Sequence, residues 1–341
     1  MTKKQKLLLH FSIFTATVAA ITMTMVATAD EIVVYSARNE QLIKPLFDAY
    51  TKKTGVSIKF VTDKEGALLQ KIKAEGVNTL ADVLITSDAG NLWQASNLGL
   101  LQSVQSKTLL HNIPANLRDP LGQWFGLSVR ARTIVYNRNK VKRSDLSTYA
   151  DLGQSKWRER LCLRTSKSVY NQSLVAMMIQ EYGEPKTEKI VQSWVVNLAT
   201  TPFPDDNRAM NAVAAGQCDV TIVNTYYYGA LMKKVSNLPL DIFWPNQGVG
   251  ESGVHVNISG AGVTRYTKNK AAAIRFIEWM SSEKAQNLFA DANMEYPVNS
   301  MVQADPAVAI WGKFKKNSLN VVKAGELQAA AVKLMDRAKY Q

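Results

Sequence analysis

The sequence predicts an α/β fold in two lobes joined by a crossover, on three observations. From Glu31 onward, short apolar strands alternate with amphipathic helices, the β-α-β-α-β rhythm of a mostly parallel sheet. Two strand-like runs near the middle, 124–129 and 133–137, flank Arg130 and Arg132 and have the character of a crossover between lobes. The strand–helix rhythm then resumes and runs to the C-terminus.

The chain opens on a leader. Lys3, Lys4 and Lys6 form a basic start, an apolar stretch runs over 7–26, and Ala27-Thr28-Ala29 is a small-x-small cleavage pattern that places the mature start at Asp30. Residues 1–29 are therefore expected to be a signal peptide, and residues 30–341 suffice for one large or two medium domains. A buried strand over 31–35 comes first, with Ser36 positioned to cap a helix that carries Leu42, Ile43, Leu46, Phe47 and Tyr50 on one face. Thr54-Gly55 stops that helix. A strand over 56–61, a helix over 66–74, an apolar strand over 81–86 and a short helix over 91–97 complete the first rhythm. After the crossover come a strand at 160–165, helices at 171–182, 186–198 and 207–215, a strand at 219–223, and a short helix beyond Tyr228. A returning strand at 254–263 and helices at 269–281, 283–291, 308–314 and 322–338 finish the chain. Ligands of such sheets sit where strands end and helices begin. The candidate tips are 36–40, 62–65 and 87–89.

Charge and cysteine content narrow the function. The formal net charge is +13, of which the leader lysines supply three, and 20% of residues are charged. The basic residues are scattered, with no arginine stripe and no aromatic–basic interleaving, which argues against nucleic acid and for a solvated surface favouring an anionic ligand. Cys162 and Cys218 are the only cysteines, one in a predicted strand and the other just before one. In an exported chain such a pair forms a disulfide. No Gly-x-Ser-x-Gly elbow, His-Glu-x-x-His pair or phosphate-binding glycine loop is present, so nothing points to an enzyme.

Two polar segments follow strands and open helices. Val223-Asn224-Thr225-Tyr226-Tyr227-Tyr228 places three tyrosines after an apolar strand, where buried phenols would each need a hydroxyl partner. In a loop, adjacent tyrosines can aim two phenol oxygens at one spot; a surface aromatic cluster or a helix start with one tyrosine in the core is the plainer use. Thr165 to Gln172 brings Tyr170 to a similar tip, where simple helix-start packing is again the plainer use.

With these segments in view, the chain resembles the ferric-iron-binding periplasmic proteins of bacterial ABC importers. The likeness lies in Val34-Tyr35-Ser36-Ala37-Arg38, Ala81-Asp82-Val83-Leu84-Ile85-Thr86, Val129-Arg130-Ala131-Arg132-Thr133-Ile134-Val135-Tyr136, Val169-Tyr170-Asn171-Gln172-Ser173-Leu174 and Asn224-Thr225-Tyr226-Tyr227. His255-Val256-Asn257-Ile258-Ser259-Gly260 and Glu295-Tyr296-Pro297 add to it. It spans essentially the whole mature chain, and the paired tyrosines are its specific part. The resemblance implies a type II periplasmic-binding-protein (Venus-flytrap) fold with a crossover hinge. The first lobe would comprise 30–131 plus about 255–300, and the second about 132–254 plus 301–341. It implies Tyr226 and Tyr227 as core iron ligands with Tyr170 as a third, Tyr228 as packing or rim, and Arg132, with Arg38 beside it, as holders of a synergistic anion such as carbonate. It further implies a monomer in the periplasm that hands iron to an inner-membrane ABC permease.

The chemistry agrees. Ferric iron is a hard cation that prefers anionic oxygen, and a trivalent ion removes the phenol proton that tyrosine otherwise holds to a pKa of about 10. Acid should therefore release the metal, and hinge closure should follow metal binding as a population shift. The chain also departs from the family. Asn39-Glu40 stands where many relatives carry His or His-Tyr, and Ser87-Asp88 where some supply a glutamate. His10 falls in the leader, His111 far from any tip, and His255 in a motif that the resemblance makes structural. The first lobe thus offers no obvious ligand beyond Glu40 or Asp88, and a carboxylate at a strand tip commonly caps a helix. A same-fold binder of an organic anion, sugar or polyamine, with the tyrosines stacking on the ligand, is the alternative.

Overall fold

The computed structural model describes residues 31–235 and 237–341. The leader over 1–29 and its cleavage point before Asp30 lie outside the described residues. The elements are β1 (Glu31–Ser36), α1 (Glu40–Thr54), β2 (Ser57–Thr62), α2 (Glu65–Glu75), β3 (Val83–Thr86), α3 (Ala89–Asn97), α4 (Lys107–Asn112) and β4 (Phe125–Asn137). There follow β5 (Leu161–Cys162), α5 (Val169–Tyr182), α6 (Glu184–Val196), α7 (Asp206–Ala214), β6 (Val220–Asn224), α8 (Thr225–Lys234) and β7 (Leu240–Phe243). Last come β8 (Val256–Val263), α9 (Lys270–Met280), α10 (Glu283–Asn293), β9 (Tyr296–Pro297), α11 (Pro306–Ala309), α12 (Lys323–Glu326) and α13 (Gln328–Arg337).

The strands are hydrogen-bonded in the order β2-β1-β3-β8-β4-β6-β5, with β7 and β9 also on β4. The crossover is one strand rather than two: β4 runs unbroken for 13 residues and is buried throughout. Its first half pairs with β8, from Phe125↔Ala261 to Ala131↔Val256. Its second half pairs with β6, from Arg132↔Asn224 to Tyr136↔Val220, and with β7. The change of partner falls between Ala131 and Arg132, so Arg130 and Arg132 stand where the lobes join. Arginine does not break the strand because each guanidinium finds a buried carboxylate, Asp88 and Asp206 respectively, and a buried charge is tolerated when paired. The expectation of a mostly parallel sheet is corrected as well. The β1–β2, β1–β3 and β5–β6 pairings are parallel, but every pairing of β4 and β8 is antiparallel, because these two strands pass between the lobes in opposite directions.

Local signals placed most helices to within a residue or two. The cap of α1 is Asn39, whose side chain accepts from the Gln41 amide, rather than Ser36, which ends β1. Gly55 closes α1 in the left-handed conformation with φ 76°. The strand expected over 160–165 shrinks to two residues. The helix expected over 322–338 is broken at Leu327 into α12 and α13. In the first lobe Ile32, Val34, Phe47, Leu84 and Phe276 are buried together. In the second, Trp157, Leu174, Trp194, Ile222 and Leu334 form a separate core, with α13 closing over α5 and α6. The Cys162–Cys218 disulfide joins the end of β5 to the entry of β6, with Cα atoms 5.9 Å apart.

Candidate metal centre

The start of α8 is held from two sides. The Asn224 amide donates to Asp206 at 3.0 Å, and the Thr225 hydroxyl accepts from the Ala131 amide at 3.3 Å. Asp206 is itself held by Arg132 at 2.7 Å. The tyrosines therefore occupy the first helical turn, the helix start that the sequence offered beside a loop. Tyr226 and Tyr227 leave that turn side by side, with ring centroids 4.2 Å apart and planes inclined by 37°. Tyr228 turns inward, buried edge-on against Trp311. Tyr170, second residue of α5, arrives from another part of the same lobe, and the Tyr226 hydroxyl donates to the Tyr170 oxygen at 3.3 Å.

These three phenols line a cavity of about 310 Å³ between the lobes. Arg130 lines it at the hinge, and Asn39, Glu65 and Ser87 from the first lobe. The Arg130 and Arg164 guanidinium carbons lie 5.0 and 5.2 Å from the Tyr170 ring centroid. Burial pushes the Tyr226 phenol well above the ordinary tyrosine value; the neighbouring Tyr170 and Tyr227 add to the shift and Arg130 opposes it. Burial likewise raises Tyr170, with Arg130 again opposing. The Tyr226 and Tyr170 phenols are therefore protonated at neutral pH, and only a strong cation would strip them. Among the described residues no group of three or more His, Cys, Asp or Glu side chains is placed to hold a metal. The oxygen donors that α5 and α8 bring here are phenols.

The other expected site residues fall elsewhere. Arg132 does not line the cavity: its fork is spent on Asp206 at 2.7 Å, Asn171 at 2.6 Å and the Ile222 carbonyl at 3.0 Å. It braces α5 and α8, the two helices that carry the tyrosines. Arg38 does line the cavity, but its guanidinium is clamped by Glu295 at 3.1 Å, Asn293 at 3.0 Å and Ser259. Asp88 is fully buried and caps α3 through the Gly90 amide, while also accepting from Arg130, Asn257 and Ser173. Glu40 is exposed in the first turn of α1 and does not line the cavity. His255 is buried, neither ring nitrogen has a hydrogen-bond partner, and burial together with Arg132 and Arg130 pushes it down to about 3.

Arg130, Arg164 and Glu65 face or flank the phenols without having been singled out in the sequence. Arg130 and Arg132 sit two apart on one strand and share a face, so alternation alone could not separate them. For Glu65 the signal was its place at the 62–65 tip.

The model of the bacterial extracellular solute-binding protein family matches residues 78–323. The chain is 40% identical over 317 residues to iron uptake protein A1 of Synechocystis, covering 91% of this chain and 88% of that one. The Trichodesmium protein IdiA (FutA), solved in complex with iron and citrate ligands, superposes with a TM-score of 0.87 at 42% identity, covering 91% of this chain and 100% of that one. Mannheimia haemolytica ferric iron-binding protein A, in an open conformation, superposes with a TM-score of 0.86 at 37% identity, covering 92% and 99%. With the family match extending over most of its length, the chain belongs to the bacterial extracellular solute-binding proteins.

Proposed function

We infer that this protein is exported to the periplasm, captures ferric iron in the interlobe cavity through the phenolates of Tyr170, Tyr226 and Tyr227, and passes it as a monomer to an inner-membrane ABC permease. One observation carries the reading: three tyrosines from two separate helices line one cavity, with the oxygens of two of them 3.3 Å apart. Three phenolates balance a trivalent charge with the hard oxygen donors that such an ion prefers. The names of the relatives point the same way.

The cavity is roomier than a bare ion needs, which favours a co-bound anion. Its holder is Arg130 rather than Arg132, since one terminal nitrogen of Arg130 is buried without a hydrogen-bond partner while the other is held by Asp88. A planar guanidinium suits carbonate or a carboxylate such as citrate. We set the lobe boundaries at the β4 change of partner: residues up to Ala131, with β8 to β9, as the first lobe, and 132–254 with the C-terminal helices as the second.

The test is a visible absorption spectrum of the metal-stripped mature protein after one equivalent of ferric iron is added as a weak chelate. A broad charge-transfer band is expected for the wild type and should fade or shift in Tyr227→Phe. A colourless wild-type complex would reject ferric capture and leave the tyrosines as an aromatic platform for an organic ligand.

A further inference from the structure

We propose that Glu65 contacts the bound cation from the first lobe, completing across the cleft the oxygen donors that Tyr170, Tyr226 and Tyr227 present from the second. This deepens the ferric reading and rests on it.

The cavity has two carboxylates on its wall, Glu65 and Glu295. Glu295 is engaged by Arg38 at 3.1 Å and by Ser128. Glu65 is different. It opens α2, where Lys64 supplies no side-chain cap, and its carboxylate meets its own backbone amide. Among the described residues no cation forms an ion pair with it. Arg130, whose charge Glu65 feels, holds Asp88 through one terminal nitrogen at 3.0 Å and leaves the other without a partner.

Its electrical neighbourhood is acidic. Glu65 feels the charge of Asp88, and Tyr170 across the cavity feels that of Glu65. Beside Arg130, a half-buried carboxylate that feels a buried aspartate and shares a cavity with three phenols suits a further cation between them. A helix-opening glutamate could have pointed to solvent and served the helix dipole equally well. Its placement on the wall of this cavity costs desolvation that its own amide and Arg130 offset in part and that a positive guest would offset further. The guest that matches this donor set is a hard, highly charged cation. Glu65 also gives the first lobe a differential contact with the occupied site, the requirement for a ligand to favour one arrangement of two lobes over another.

The experiment compares wild type, Glu65→Gln and Tyr227→Phe, each stripped and loaded with ferric nitrilotriacetate. Band position and retention of iron against citrate are recorded with and without added bicarbonate, and thermal melts of the metal-free proteins confirm folding. Glu65→Gln should keep a phenolate band because its tyrosines are intact, but the maximum should move. Its apparent affinity should fall by at least about tenfold, the smallest loss seen even when groups behind metal ligands are removed. Retention should also become more dependent on bicarbonate, which would replace the missing oxygen donor. A Glu65→Gln protein identical to wild type in band and retention, beside a Tyr227→Phe protein that loses the band, would overturn the role of Glu65 and leave the ferric reading standing. Absence of a band in wild type would overturn both.

Discussion

Tyr226 and Tyr170 are held protonated by burial, so on the proposed reading capture of a metal through their oxygens means expelling their protons. Occupancy should therefore weaken as pH falls, because protons compete for the same oxygens. Arg130 partly offsets the cost by favouring the phenolate of both residues. Arg132, one step along the same face, has a different task. Its ion pair with Asp206 is fully buried, and Asp206 also takes the Asn224 amide that starts α8. Asp206→Asn would leave the Arg132 charge poorly compensated in the interior, at a cost of about 3–5 kcal/mol by analogy with other broken buried pairs. Urea unfolding of the metal-free protein measures this. A change below about 1 kcal/mol, the scale of an exposed pair, would show that the contact does not brace the second lobe.

At the scale of elements, the site depends on three connections converging on one spot: β6 into α8, β5 into α5, and β4 between the lobes. β5 has only two residues; it pairs with β6 at Leu161↔Val220 and Cys162↔Thr221, and Leu161 also bridges Leu198. So short a strand contributes few ladder bonds, and the disulfide across a sequence separation of 56 holds the two segments together instead. Replacing both cysteines by serine should lower unfolding stability by about 2–4 kcal/mol, read from a lower denaturant midpoint with an m-value that rises because the unfolded chain loses its cross-link. Iron retention should also drop, because the segment after β5 leads into the turn that positions Tyr170. Full retention alongside the lost stability would separate the disulfide from the site.

For the whole molecule, the join between lobes is where acid should act first. His255 lies beside β4 with Arg130 and Arg132 as its charged neighbours and is pushed down to about 3. In the unfolded chain it takes up a proton near pH 6.5. Between those values the unfolded state binds the extra proton, so stability is fully present above pH 6.5 and is lost as pH falls towards 3, with a slope approaching about 1.4 kcal/mol per pH unit. Asp88 and Glu65 are pushed up by burial and act in the opposite direction. The diagnostic is thus the difference between wild type and His255→Gln over pH 7 to 4.5, where the wild type should lose stability more steeply. Parallel pH profiles would mean that the imidazole is not kept neutral in the fold.

Local periodicity was enough to define most helices, the strands β1 to β3 and the second-lobe rhythm, because each buries one face and its neighbours in sequence record that face; α4 and the break at Leu327 escaped it. Residue chemistry together with the family resemblance was enough to single out Tyr170, Tyr226 and Tyr227, since adjacent phenols after a strand are an expensive thing to place without a use. Three matters depended on how distant segments meet. Whether 124–137 is one strand or two turned on Asp88 and Asp206, far from it in sequence, being present to neutralise its arginines. Which arginine faces the cavity turned on the point at which β4 exchanges β8 for β6. Glu65 acquires meaning only from opposing Tyr170, more than a hundred residues away. Hydrophobic pattern is a short-range property of the chain, whereas charge compensation in a cleft is set by the packing of elements that no local pattern relates.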